Sequence, residues 1–104
     1  MAESPPPSLH VLSSIVVPGS SVGVQVQNAP GNDLDRVELY ELEAPAGQYL
    51  ARQLLHGATS VTLSFTAPDV GAYEFRLFEA VTDALLATSE PFSTGSGPGG
   101  GGPP

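Results

Sequence analysis

The sequence predicts an all-β protein, an antiparallel sandwich of about seven short strands. Three features point there. Apolar and polar side chains alternate with a period of two through several short runs, which buries one face of each strand. Clusters of Pro, Gly, Asn and Asp punctuate these runs at regular intervals. The stretch Pro68-Asp69-Val70-Gly71 reads as a tight turn that feeds directly into an alternating strand over 72–78.

Taken in order, residues 1–7 form a flexible Pro-rich arm, because each Pro locks φ and lacks a donor. Residues 95–104 form a flexible Gly/Pro-rich tail that cannot bury enough apolar surface to fold alone. Residues 8–94 between them suit a single domain. A first or split strand covers 9–17 and ends at Pro18-Gly19. His10 within it reads as a surface or edge residue. Val22, Val24 and Val26 alternate with Gly23, Gln25 and Gln27 in a second strand, whose apolar face should meet Tyr73 and Phe75. A turn-rich loop occupies 28–35.

Residues 36–42 alternate again, with Val37 and Leu39 on one face and Arg36, Glu38 and Tyr40 on the other. Pro45 and Gly47 then turn the chain. Residues 49–55 suit a strand or one turn of helix, a strand being the expectation, and His56-Gly57 breaks the run. Val61, Leu63 and Phe65 face inward from the next strand. In the turn that follows, Pro68 fixes φ, Asp69 can bond its side chain to nearby backbone, and Gly71 tolerates positive φ. Tyr73, Phe75 and Leu77 then face the core while Glu74, Arg76 and Phe78 face away. Residues 79–84 form a hairpin loop, and a last strand from Leu85 runs toward Phe92, with Pro91 at an edge or bulge.

Eleven acidic residues stand against three arginines and no lysine, a formal charge of −8. That balance argues against nucleic acid as a partner and opposes anionic membranes. Apolar runs are too short to cross a bilayer, so no membrane insertion is expected. The absence of cysteine leaves the redox compartment open. The first residues show neither a basic nor an apolar signal segment, so no secretory signal is expected as written: either the chain is used without that export route, or a signal has been removed and a new Met supplied.

Two histidines, without cysteine or lysine, leave few nucleophile and base pairs. No phosphate loop, His-Glu-x-x-His or Gly-x-Ser-x-Gly motif occurs. Catalysis, a cofactor and a metal are therefore not expected. Asn28, Asn32, Asp33 and Asp35 could offer oxygens to a hard cation, but their spacing misses the EF-hand pattern and turn chemistry accounts for them. Glu38, Glu41 and Glu43 read as a solvated acidic face. Tyr40, Tyr49, Arg76 and Phe78 are the candidate partner contacts, because outward aromatics mark contact surfaces and can stack on sugars. Phe78 is either exposed or covered by the 79–84 loop.

The spacing Asp69-x-Gly71-x-Tyr73 resembles the tyrosine corner of immunoglobulin-like sandwiches, in which the Tyr hydroxyl ties to backbone upstream. That resemblance implies structural roles for Asp69, Gly71, Tyr73 and Phe75. Phe75 stands where antibody-type domains carry a cysteine, so apolar packing must replace the inter-sheet disulfide. Over 19–92 the chain resembles disulfide-free bacterial immunoglobulin-like modules of surface and secreted proteins. The likeness rests on Asn28-Ala29-Pro30-Gly31-Asn32, Asp35-Arg36-Val37-Glu38-Leu39-Tyr40, Phe65-Thr66-Ala67-Pro68, the run from Gly71 to Phe78, and Leu86-Ala87-Thr88-Ser89.

These readings lead to an expected function as a non-enzymatic structural or decoration protein, bound to protein subunits of a large assembly such as a bacteriophage capsid or tail, and so located on a virion surface. The alternative is a carbohydrate-binding or adhesive module of a secreted or cell-surface protein, with surface glycans as partners. Gene neighbours among capsid or tail genes would favour the first.

Overall fold

The computed structural model describes residues 6–95, and among them nine strands form two facing sheets. The remainder of the expected arm and tail, at 1–5 and 96–104, lies outside the described residues. In chain order the strands are β1 (Ser8–Val11), β2 (Ile15–Val16), β3 (Ser21–Gln27), β4 (Arg36–Glu41), β5 (Ala51–Leu54), β6 (Val61–Thr66), β7 (Gly71–Phe78), β8 (Leu85–Thr88) and β9 (Phe92–Thr94). The smaller sheet runs β1-β3-β6 and the larger β2-β9-β7-β4-β5, with β8 also paired to β7. Nine strands rather than about seven arise because the first and the last lines are each broken.

Both breaks have physical causes. Leu12 N still donates to Gly23 O at 2.9 Å in the smaller sheet, but Ser14 O already accepts from Ser93 N at 2.8 Å in the larger one. The chain thus crosses between sheets at Ser13, and β2 runs parallel to β9 while the other described pairs are antiparallel. The last line breaks around Pro91, which has no N–H to give a ladder. Ser89 bridges the gap: its backbone N–H donates to Phe75 O at 2.9 Å, and its Oγ accepts from Phe75 N–H at 3.0 Å. Glu90 reaches across to the smaller sheet, accepting from Val11 N–H at 3.2 Å and pairing with His10 Nδ1 at 2.9 Å. Burial works against the charge on Glu90, but backbone N–H groups of Glu90 and Val11 and the His10 ring together hold its carboxyl below the ordinary range.

The core follows the alternation. Val22, Val24 and Val26 on β3 are fully buried against Phe75 and Leu77 on β7 and Val37 and Leu39 on β4. An aromatic chain crosses the sandwich. Phe65 of the smaller sheet lies 4.9 Å from Phe75, which stacks at 5.2 Å on Phe92, which in turn meets Tyr73 at 5.7 Å. Offset and tilted rings at these separations add attraction beyond the area they bury. Phe75, with no exposed surface, therefore holds the sheets together at their centre.

The 68–71 turn works differently from expectation. Gly71 does not adopt positive φ, which among the described glycines is confined to Gly19, Gly31, Gly47 and Gly57. It is small for another reason: a Cβ there would lie 3.0 Å from the Tyr73 hydroxyl, tighter than ordinary contact. Asp69 contributes its carbonyl rather than its side chain. That oxygen accepts from Tyr73 Oη at 2.6 Å and from Thr94 Oγ1 at 2.5 Å, tying the turn to β7 and β9 together.

Candidate functional site

The larger sheet has a second face, pointing away from the core, and it is here that the chain's chemistry collects. Alternation sends Arg36, Glu38 and Tyr40 outward from β4, Glu74, Arg76 and Phe78 from β7, and Arg52 and Leu54 from β5. Register then sets neighbours: Arg36 opposite Phe78 and Leu54, Glu38 opposite Arg76 and Arg52, Tyr40 opposite Glu74. All three arginines of the chain thus share one surface.

Each guanidinium lies over an aromatic ring: Arg76 over Tyr40 at 4.0 Å, Arg52 over Tyr49 at 4.7 Å and Arg36 over Phe78 at 5.0 Å. Such stacking is worth about 0.5–1 kcal/mol where exposed and more when desolvated. Carboxylates balance the cations. Glu38 accepts from Arg36 Nε at 2.8 Å and from Tyr40 Oη at 2.5 Å, with Arg52 Nη1 at 3.7 Å, while Glu74 takes Arg76 at 2.6 Å. Asp83, from the loop between β7 and β8, pairs with Arg36 Nη2. Three positive and three negative side chains therefore balance within this paired network, whereas the whole chain carries −8.

Burial on this face corrects the expected contact set. Tyr40 is fully buried, Phe78 and Arg76 nearly so, and Glu38 belongs to this buried network instead of a solvated acidic face. Two effects, invisible to strand alternation, cover them. The β4–β5 loop folds back over the sheet, so that Gly47 N–H donates to Tyr40 Oη at 3.0 Å. The guanidiniums of Arg76 and Arg36 then lie over the rings of Tyr40 and Phe78, shielding them from water. Of the four candidate contacts, Tyr49 alone remains exposed, at 37%. What sequence reasoning missed is its neighbour Arg52, whose side chain is 43% exposed, and the apolar Leu34 and Leu50, both exposed.

Between these residues the surface dips into an open concavity of about 500 Å³ lined by Leu34, Arg36, Arg52, Leu54 and Ala80. Asp35 braces the loops that carry two of its walls, Leu34 and Ala80. Fully buried, its carboxylate accepts from Asn32 N–H at 3.0 Å, Asn32 Nδ2 at 3.2 Å and Ala80 N–H at 2.9 Å, which joins the 28–35 loop to the 79–84 loop. That carboxylate is thus committed to protein donors. Among the described residues no group of three or more His, Asp or Glu side chains is arranged to hold a metal ion.

The site's electrostatics carry a pH signature. Burial and then the hydrogen bond to Glu38 raise the Tyr40 phenol above its ordinary value, although the Gly47 N–H and Arg76 pull the other way. Burial likewise raises Tyr73, helped by Glu41 and Asp69 and opposed by Thr94. Arg36 is desolvated, which would lower it, but its bonds to Asp83 and Glu38 outweigh that and hold it high. For the two tyrosines the unfolded chain gives up its protons first, at about pH 10. Stability should therefore be intact below that pH and fall as pH rises through the raised folded values. Denaturant titrations across this range should show the loss, and Tyr40→Phe should remove part of it.

Neither a protein-family model nor a curated protein matches the chain. Solved structures do. CHIR-AB1, an immunoglobulin-like receptor, superposes with a TM-score of 0.52 at 21% identity, over 86% of this chain and 95% of that one. A superoxide reductase (neelaredoxin) from Ignicoccus hospitalis gives 0.50 at 15% identity, over 85% and 80%. At such identities the likeness speaks for architecture alone. Together with two packed sheets and the strand orders above, it makes the chain an immunoglobulin-like β-sandwich.

Proposed function

We propose that the protein is a non-enzymatic docking domain that attaches to protein subunits of a larger assembly through the outer face of its larger sheet. The observation that carries this reading is the charge-balanced face, with exposed Tyr49, Leu50, Leu34 and Arg52, on a molecule of net charge −8. Tyrosine and arginine are the residue types that anchor protein interfaces, and a patch without net charge is where another protein can approach an acidic one at least electrostatic cost. The edge strand β5 borders the same patch and supports it, since its outer backbone groups can take an added strand.

The assembly we infer is the surface of a virus particle, a capsid or a tail. We also infer kinship with bacterial immunoglobulin-like modules, the bond from Tyr73 Oη to Asp69 O being the counterpart of their tyrosine corner. A sugar-stacking role is less well supported: Tyr40 and Phe78 are buried, and Arg52 covers one side of Tyr49. The test is sedimentation from the natural source. The protein should travel with large particles; recovery only as a free monomer counts against the proposal.

A further inference from the structure

We propose, resting on the docking reading above, that the concavity between Leu34, Arg36, Arg52, Leu54 and Ala80 seats an acidic, apolar peptide segment of the partner protein, and that Asp83 fills the carboxylate position of that seat until the partner arrives. The walls define the occupant. Leu34 and Leu54 offer apolar sides, and Leu34 is 61% exposed. Arg36 and Arg52 offer two guanidiniums on one rim, and guanidinium forks favour carboxylates. The chain has no lysine, and its third arginine, Arg76, is nearly buried and held by Glu74.

The cations are unequally satisfied. Glu38 is shared among Arg36, Tyr40 and, at 3.7 Å, Arg52, so Arg52 has a distant partner and a side chain still 43% exposed. Arg36 meets Glu38 with Nε, and its outward Nη2 is taken by Asp83. Asp83 itself is 73% exposed and has left-handed backbone, φ 62°, its N–H donating to Glu79 O at 3.0 Å. A carboxylate so exposed is a weak, screened partner that another carboxylate can displace. The seat is thereby kept neutral when empty, and the displaced Asp83 swings into solvent.

Titration of the isotope-labelled full chain by NMR tests this, using acetyl-Leu-Glu-Leu-Glu-Leu-amide as the probe and its Lys-for-Glu counterpart as the control. The acidic peptide should shift the amide signals of Leu34, Arg36, Arg52, Leu54 and Ala80. Asp83→Asn removes the competitor at little cost to folding and should tighten binding roughly threefold, while Arg52→Gln should weaken it roughly fivefold. Equal response to the Lys peptide, shifts elsewhere on the molecule, or weaker binding by Asp83→Asn overturns the proposal. Self-association of the free chain through this face would also overturn it, by assigning the seat to a second copy. If the peptide fails while Tyr49 and Leu50 are still protected in the native assembly, this seat is lost and the docking reading stands. Peptide binding without that protection keeps the seat and removes the docking reading.

Discussion

Phe75→Ala is expected to lower the unfolding free energy by about 3–5 kcal/mol, the range for truncating a buried Phe. Its ring has no exposed surface and meets Phe65 across the sandwich and Phe92 along its own sheet. Removal leaves a cavity bordered by β-strands of both sheets, which cannot collapse without shifting their registers. Small domains hold only about 5–15 kcal/mol in total, so the variant should be largely unfolded at modest denaturant. Chemical denaturation of both proteins checks this, and a loss below about 1 kcal/mol would show that the aromatic chain is not what joins the sheets.

Asp35→Ala should cost about 2–4 kcal/mol through a different mechanism. Alanine there leaves the part-buried N–H groups of Asn32 and Ala80 without their acceptor, at about 1–3 kcal/mol apiece. Asp35→Asn keeps one acceptor oxygen and should recover part of the loss. The damage reaches the candidate surface too, because Asp35 joins the loops that carry Leu34 and Ala80. Unfolding measurements on the pair of variants, with hydrogen exchange at Ala80, separate the stability cost from the local loosening.

Alternation makes β3, β6 and the inner side of β7 legible in the sequence, because one face of each meets a solid core and the period of two survives intact. Pro91 likewise marks the break in the last line, since a residue without N–H cannot continue a ladder. Other features depend on contacts between distant segments. Strand pattern says that Tyr40, Arg76 and Phe78 point away from the core, and they do. It cannot say that the β4–β5 loop and the guanidiniums of Arg36 and Arg76 will cover the two rings. Gly71 is a similar case. Its neighbour two residues on, Tyr73, brings a hydroxyl to within 3.0 Å of where a Cβ would stand, so space rather than backbone freedom selects glycine. The parallel pairing of β2 with β9 joins segments far apart in the chain and leaves no local mark.

The candidate site is legible in part for the same reason. The aromatics and Arg76 signal the right sheet face, yet the exposed contacts come from its rim. Arg52 sits in the least regular of the strand-like runs, and Leu34 in a loop, where no periodicity reports on facing. Their meeting depends on β5 pairing with β4 in the register that sets Arg52 opposite Glu38 and Leu54 opposite Arg36.

Hydroxyl-radical footprinting of the protein in its native assembly and as a free monomer tests the docking surface most directly. Protection on assembly of Tyr49, Leu50, Leu34 and Leu54, with Val70 and Ile15 equally reactive in both states, is the predicted result. Unchanged reactivity at Tyr49 and Leu50, with protection instead at Val70 or Ile15, would contradict the account and move the interface to another part of the sandwich.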